Sequence, residues 1–254
     1  MKIIKGQIKN PPRPSFLKGG RFGNLFIAIS EKKDGSMKLL AEESLNANKN
    51  LENRKRFLDI AGINNENVVS AEIIHGNKVE IVGEKDCGKI IAGADGIITG
   101  EKDVFLSVTV ADCLPVFLYE PEEQIAGILH AGWRGLEKNI ICVAIEKMKK
   151  ELGCRPEHVL VGIGPAICRK HFDVGEKVAE KFKDYPEAIL DEGGKIFLDL
   201  KKVVGTQFIN AGGKSENIEI SSECVFELQD KYFSHRRDKL EEVKAMMALI
   251  GIKA

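Results

Sequence analysis

The sequence is short of the features that mark a special environment. Its 254 residues hold one tryptophan, three tyrosines and five histidines. The six cysteines (87, 113, 142, 154, 168, 224) form no Cys-x-x-Cys pair, and a disulfide framework is not expected in a Lys-rich chain of this length. Most of them are read as small buried hydrophobes. Neither charge sign prevails, with 38 acids against 38 bases, so no net field selects nucleic acid or an anionic membrane as partner. No apolar run approaches the roughly 18 residues of a membrane span. Residues 1–20 are basic and broken by prolines, without the apolar centre of a signal peptide, and a cytoplasmic location is expected. No internal repeat, low-complexity tract or linker interrupts the chain, so 1–254 is read as one domain.

What is present is enough apolar residue (43%) to bury a core, organised around the stretch from Ala111 to Gly135. Two apolar runs flank the polar break Pro121-Glu122-Glu123-Gln124, which predicts two strands joined by a turn. Cys113 stands at the mouth of the first run and His130 at the end of the second. Gly132-Trp133-Arg134-Gly135 then leads into a helical pattern, a turn whose free N–H groups and Arg134 suit an anion.

Elsewhere the spacing predicts strands over 25–30, 68–74, 79–82, 104–110, 158–163, 196–200, 218–221 and 246–252. The strands 68–74 and 79–82 read as a hairpin about His75-Gly76-Asn77. Helices are predicted over 51–61, capped by Asn48 or Asn50 and stopped by Gly62, and over 136–152, 175–182 and 201–211. Residues 1–22 read as an extended lead-in with a short strand at its start. The elements mix without a regular βαβ rhythm, which points to an α/β or α+β fold.

His75, Cys113 and His130 each end or begin an apolar run, and each is followed within three residues by Gly or Pro. Two imidazoles and a thiolate would make a zinc site with a fourth position open. The residues alone leave three readings standing: a shared metal site, a metal-free thiol nucleophile with Cys113 activated by His130, and ordinary buried side chains at turns.

A set of ordered motifs narrows this choice. Ser44-Leu45-Asn46, Asn53-Arg54, Ile74-His75-Gly76, Ala94-Asp95-Gly96, Ala111-Asp112-Cys113-Leu114-Pro115-Val116, His130-Ala131-Gly132-Trp133-Arg134-Gly135, Gly164-Pro165-Ala166-Ile167, Tyr232-Phe233-Ser234 and Arg236-Arg237-Asp238 follow one another. The chain thereby resembles the laccase-domain, or polyphenol oxidoreductase, family now regarded as purine nucleoside phosphorylases. The resemblance spans about residues 40–240. Two family features are missing: the usual segment near the N-terminus is replaced by Arg21-Phe22-Gly23-Asn24-Leu25, and no Gly-Arg follows Asp238.

The resemblance implies a single-domain α+β fold of four αββα layers, with one zinc held by His75, Cys113 and His130; copper is the less favoured metal. It implies phosphorolysis of adenosine, inosine and methylthioadenosine, with adenosine deamination as a further activity. Catalytic roles then fall to these ligands and to Asp112, as proton shuttle or orienting partner of a ligand histidine, and Arg134. Phosphate and substrate contacts fall to Arg134, Arg54, Arg237 and Asn46. Purine nucleosides and phosphate are the expected partners, with no nucleic acid or membrane. Multicopper phenol oxidation, as the older family name suggests, needs more histidines than five. A thiol hydrolase or deamidase using Cys113 and His130, and a non-catalytic metal-dependent interaction module, are the remaining alternatives.

Overall fold

The computed structural model describes residues 23–39, 44 and 46–254, with the backbone of residues 2 and 3. The rest of the predicted lead-in, including Arg21 and Phe22, lies outside the described residues. The elements stack as helix, sheet, sheet, helix, the four-layer α+β arrangement expected. The first sheet runs in the order Lys2–Ile3, Leu25–Ile29, Met246–Ile252, Phe105–Val110, Val68–Ala71, Ile90–Ile91. The second runs Ile218–Ile220, Leu160–Ile163, Leu114–Glu120, Ile125–Ala131, Gly96–Thr99, Val79–Ile81. A small third sheet joins Asp173–Val174, Lys195–Leu198 and Ile189–Glu192.

The strand sequences explain the layering. Leu114–Glu120 and Ile125–Ala131 are buried at every position, so both faces of the second sheet are covered. Its inner face (Ile97, Phe117, Tyr119, Ile128) meets Leu106, Val108, Val110 and Ile250 of the first sheet. Its outer face (Leu114, Val116, Leu118, Leu129) packs on the helices Ile140–Leu152 and Leu200–Asn210. The outer face of the first sheet is covered by the helix Ala47–Ala61 through Phe57, Leu58 and Ala61.

Three expectations need correction. The strands Val68–Ala71 and Val79–Ile81 make no hairpin; they lie in different sheets, each beside a parallel neighbour, because residues 72–78 carry the chain from one layer to the other. The helix expected over 136–152 is broken: a short turn of helix Trp133–Glu137 ends before Asn139, whose φ of 57° changes the chain direction, and Ile140–Leu152 follows. The helix predicted from 51 starts at Ala47, with Asn46 at the cap position and no side-chain cap bond.

Arg54, expected among the phosphate contacts, is buried. It is 5% exposed, on the inner face of its helix. Its Nη1 donates to the Met37 carbonyl at 3.0 Å, and Nη2 donates to Ser70 Oγ at 2.7 Å and Ser107 Oγ at 3.3 Å. Burial pulls the guanidinium pKa down to about 10, so it stays charged at neutral pH and ties the helix to two strands. Arg54→Ala would orphan these acceptors and open a void. It is expected to lower stability by about 3 kcal/mol in urea unfolding while leaving phosphate dependence unchanged. A raised phosphate KM at unaltered stability would return Arg54 to the ligand site.

Candidate metal centre and its cavity

The hairpin of the second sheet sets the site. Its register pairs Leu114 with Ala131 and Pro115 with His130, which brings Cys113, just before one strand, beside the end of the other. His75 arrives from the crossover between sheets in a left-handed conformation, φ 60°. The thiol and one ring nitrogen from each histidine all lie within 4.8 Å of one another. The two imidazoles meet edge to face, ring centres 5.0 Å apart.

Two glycines permit this closeness. A Cβ on Gly132 would come within 2.9 Å of Cys113 Sγ, and one on Gly135 within 2.7 Å of the Gly76 carbonyl. The Gly-x-x-Gly spacing thus presses the Trp133–Glu137 turn against both the thiol and the His75 loop.

Each ligand candidate has its own brace. His130 is 5% exposed, and its Nδ1 lies 2.8 Å from the Thr109 carbonyl. A carbonyl only accepts, so Nδ1 carries the proton and Nε2 keeps its lone pair. That Nε2 is buried with no hydrogen-bond partner among the described residues. Burial first, then the neighbouring His75, pushes the His130 pKa down to about 4. The Cys113 thiol is pushed up to about 12 by burial first, then by the carboxylates of Asp112 and Asp95. A neutral imidazole with a bare buried lone pair, beside a thiol that only a cation would ionise, fits a metal ion.

Asp95, fully buried, receives the backbone N–H of His75 at 2.8 Å and of Gly76 at 2.7 Å, and so fixes that loop. Its motif, Ala94-Asp95-Gly96, was visible in the sequence, but a bond to backbone leaves no spacing signal. Asp112 does not orient either histidine. Its carboxylate accepts from Ser234 Oγ and from the Arg236 backbone N–H, both at 2.6 Å, and anchors the C-terminal turn.

The three ligand candidates open on a cavity of about 700 Å³ whose wall includes Trp133, Arg134, Phe172, His235 and Arg236. Arg134 lies over the Trp133 ring at 4.2 Å and has no carboxylate partner among the described residues. Arg236 lies over Phe172 and pairs with Asp173 at 2.7 Å. Arg237, the expected phosphate ligand, instead donates to the carbonyls of Val225, Phe226 and Tyr232 and pairs with Asp238. Asn46 donates to Glu242 and lines a separate depression beside Lys49 and Asn53. Arg54, Arg237 and Asn46 are therefore not brought into the cavity, whereas His235 and Arg236, outside the expected set, are.

The chain matches, over residues 28–253, the family described as multi-copper polyphenol oxidoreductase laccase. It belongs to that family. A relative from Bacillus subtilis (strain 168), named purine nucleoside phosphorylase YlmD, is 30% identical over 247 residues, 89% of this chain and 88% of its own. A relative from an unknown prokaryotic organism, named adenosine deaminase RL5, is 27% identical over 69% of this chain and 72% of its own. The crystal structure of YlmD from Geobacillus stearothermophilus has a TM-score of 0.86 at 26% identity, covering 93% of this chain and 95% of that one. The laccase-like family is metal-associated, in keeping with the donor set here. Among the described residues no helix is long and apolar enough to cross a membrane.

His130 is expected to make the metal-free protein sensitive to acid. Its folded pKa, about 4, lies below the ordinary 6.5, so between these values the unfolded chain holds the extra proton. Its contribution leaves stability intact above pH 6.5 and lowers it by roughly 3 kcal/mol as pH falls toward 4. Urea unfolding of chelator-treated protein across that window, beside His130→Gln, checks this; equal slopes in both proteins would acquit His130.

Proposed function

We propose that this enzyme is a purine nucleoside phosphorylase that converts a purine nucleoside and inorganic phosphate to free base and sugar 1-phosphate. Adenosine, inosine and methylthioadenosine are its substrates, and adenosine deamination is a second activity at the same site. The observation that carries the reading is the convergence of two histidines and a cysteine beside a nucleoside-sized cavity whose wall includes Arg134, an arginine with no carboxylate partner among the described residues. The names of the relatives support both activities.

His75, Cys113 and His130 would hold the metal, zinc before copper, and a zinc ion there would supply a Lewis acid able to polarise an oxygen or activate a water. In phosphorolysis the bond between the sugar's anomeric carbon and the purine nitrogen breaks, and a phosphate oxygen takes the carbon. Arg134 would hold that phosphate. Its guanidinium lies over the Trp133 ring, 4.2 Å from the centroid, and has no carboxylate partner among the described residues to take up its donors. Phe172 and Trp133 offer aromatic surface for a purine. Asp112 serves by anchoring Ser234 and Arg236, which holds the Arg236 side of the wall in place.

The alternatives are weaker on the same geometry. A thiolate–imidazolium dyad needs a proton to pass from a thiol of pKa about 12 to an imidazole of pKa about 4, and burial opposes both charges. Multicopper oxidation needs clustered histidines. Here His158 faces Glu120 and Glu122, and His171 faces Glu227, and neither shares the donor group of His75 and His130.

Purified enzyme incubated with a nucleoside panel, with and without phosphate, is expected to release free base only with phosphate. Deamination of adenosine would proceed in its absence. Base release indifferent to phosphate would end the phosphorylase reading. Cys113→Ala is expected to lose the bound metal and at least about 100-fold in both activities. Arg134→Ala should keep the metal and raise the phosphate KM, by roughly tenfold or more for one lost charge-assisted pair, with Arg134→Lys between it and wild type. An unchanged phosphate KM in Arg134→Ala would show that the anion lies elsewhere.

A further inference from the structure

A second group of donors lies outside the catalytic cavity. Cys168 and His171 stand three residues apart, as do Cys224 and Glu227. Each pair spans a single turn: the His171 N–H bonds the Cys168 carbonyl at 3.1 Å, and the Leu228 N–H bonds the Cys224 carbonyl at 3.0 Å. An i, i+3 spacing on one turn points both side chains the same way. The two turns are also bound to each other. Ala166 and Cys224 form an isolated parallel bridge, the Val225 N–H bonds the Ala166 carbonyl, and the Cys168 N–H points at Cys224 Sγ from 3.3 Å. Backbone contacts, and not side-chain conformation alone, therefore bring the pairs face to face.

The structure assigns to Cys168, His171, Cys224 and Glu227 a second metal site, closed by four protein ligands and suited to zinc. One donor atom from each residue lies within 4.8 Å of all the others. His171 Nε2 is 3.1 Å from Glu227 Oε1, and Cys168 Sγ is 3.9 Å from the same oxygen. A tetrahedral zinc with bonds of 2.0–2.3 Å has donor–donor edges of about 3.3–3.8 Å, so small adjustments close the shell. His171 is already oriented by stacking on Phe226, ring centres 4.3 Å apart and planes 16° from parallel. Cys224 is 3% exposed, a dry position for a sulfur ligand. Two thiolates select zinc over the hard cations magnesium and calcium. The nearby Lys201 ammonium, which interacts with both cysteines, offsets the excess negative charge of two thiolates and a carboxylate around a divalent ion.

The position gives such an ion a structural role. Arg236 Nη1 donates to the His171 carbonyl, and Arg237 Nη1 donates to the carbonyls of Val225 and Phe226. The site would staple the segment carrying Phe172 to the one leading into Ser234–Arg236, and both line or support the catalytic cavity. It shares no ligand with the His75–Cys113–His130 centre.

The test counts zinc in full-length protein produced in zinc-supplemented medium and freed of loose metal by gel filtration. Wild type is expected to hold about two zinc ions per chain, and Cys113→Ser about one. Cys168→Ser, His171→Asn and Glu227→Gln should each hold about one after a mild chelator challenge, and the latter two, with partly exposed side chains, guard against a cysteine variant that fails to fold. Cobalt titrated into metal-free Cys113→Ser should give the intense visible absorption of a tetrahedral thiolate complex. A Cys113→Ser protein that is folded yet holds no zinc and shows no such absorption would overturn the assignment. So would a Cys168–Cys224 disulfide found by mass spectrometry in protein purified without reductant.

Discussion

The hydrogen bond from His130 Nδ1 to the Thr109 carbonyl joins the two sheets at the mouth of the site. His130 belongs to the second sheet and Thr109 to the first, so the tautomer of the imidazole is set by how the layers pack. With the proton fixed on Nδ1, the Nε2 lone pair has one direction to face, toward Cys113 and His75. The apolar layer between the sheets holds Thr109 and His130 in register, and no local feature of either strand could do so.

Around that bond the loops are braced by carboxylates in structural roles. Asp95 holds the His75–Gly76 backbone, and Asp112, itself at φ 87°, holds Ser234 and Arg236. A non-glycine residue at positive φ costs free energy, and both His75 and Asp112 are of this kind. Each strained loop is offset by charge-assisted bonds to a buried carboxylate. The placement of the candidate ligand loop and the cavity shape thus depend on two acids.

The arginines show how one residue type divides its work by depth. Arg54 is a core cross-link, Arg237 a clamp on three carbonyls, and Arg236 a cavity wall held by Asp173. Arg134 alone among these combines a place on the wall with a guanidinium that has no carboxylate partner among the described residues. Sequence context singled out the glycine turn of Arg134 but not the roles of the others, which differ in what lies opposite.

The strand Met246–Ile252, the hairpin about 121–124 and the stops at Gly62 and Gly153 could be read directly, because apolar runs and left-handed glycines are local signals. The candidate ligands His75, Cys113 and His130 were also legible, as polar residues at the ends of apolar runs. Which sheet each strand joins was not, and the false hairpin at 68–82 shows why: pairing partners are chosen by burial on both faces, a property of distant chain. The same holds for the Cys168 and Cys224 turns, each unremarkable alone and a four-donor cluster only when the bridge between Ala166 and Cys224 brings them together. Local sequence determined most of the elements and the donors, since periodicity and side-chain chemistry act within a few residues, but not the break at Asn139. Only the tertiary structure decided which donors meet, since that depends on contacts between segments far apart in the chain, 56 residues from Cys168 to Cys224 and 122 from Asp112 to Ser234.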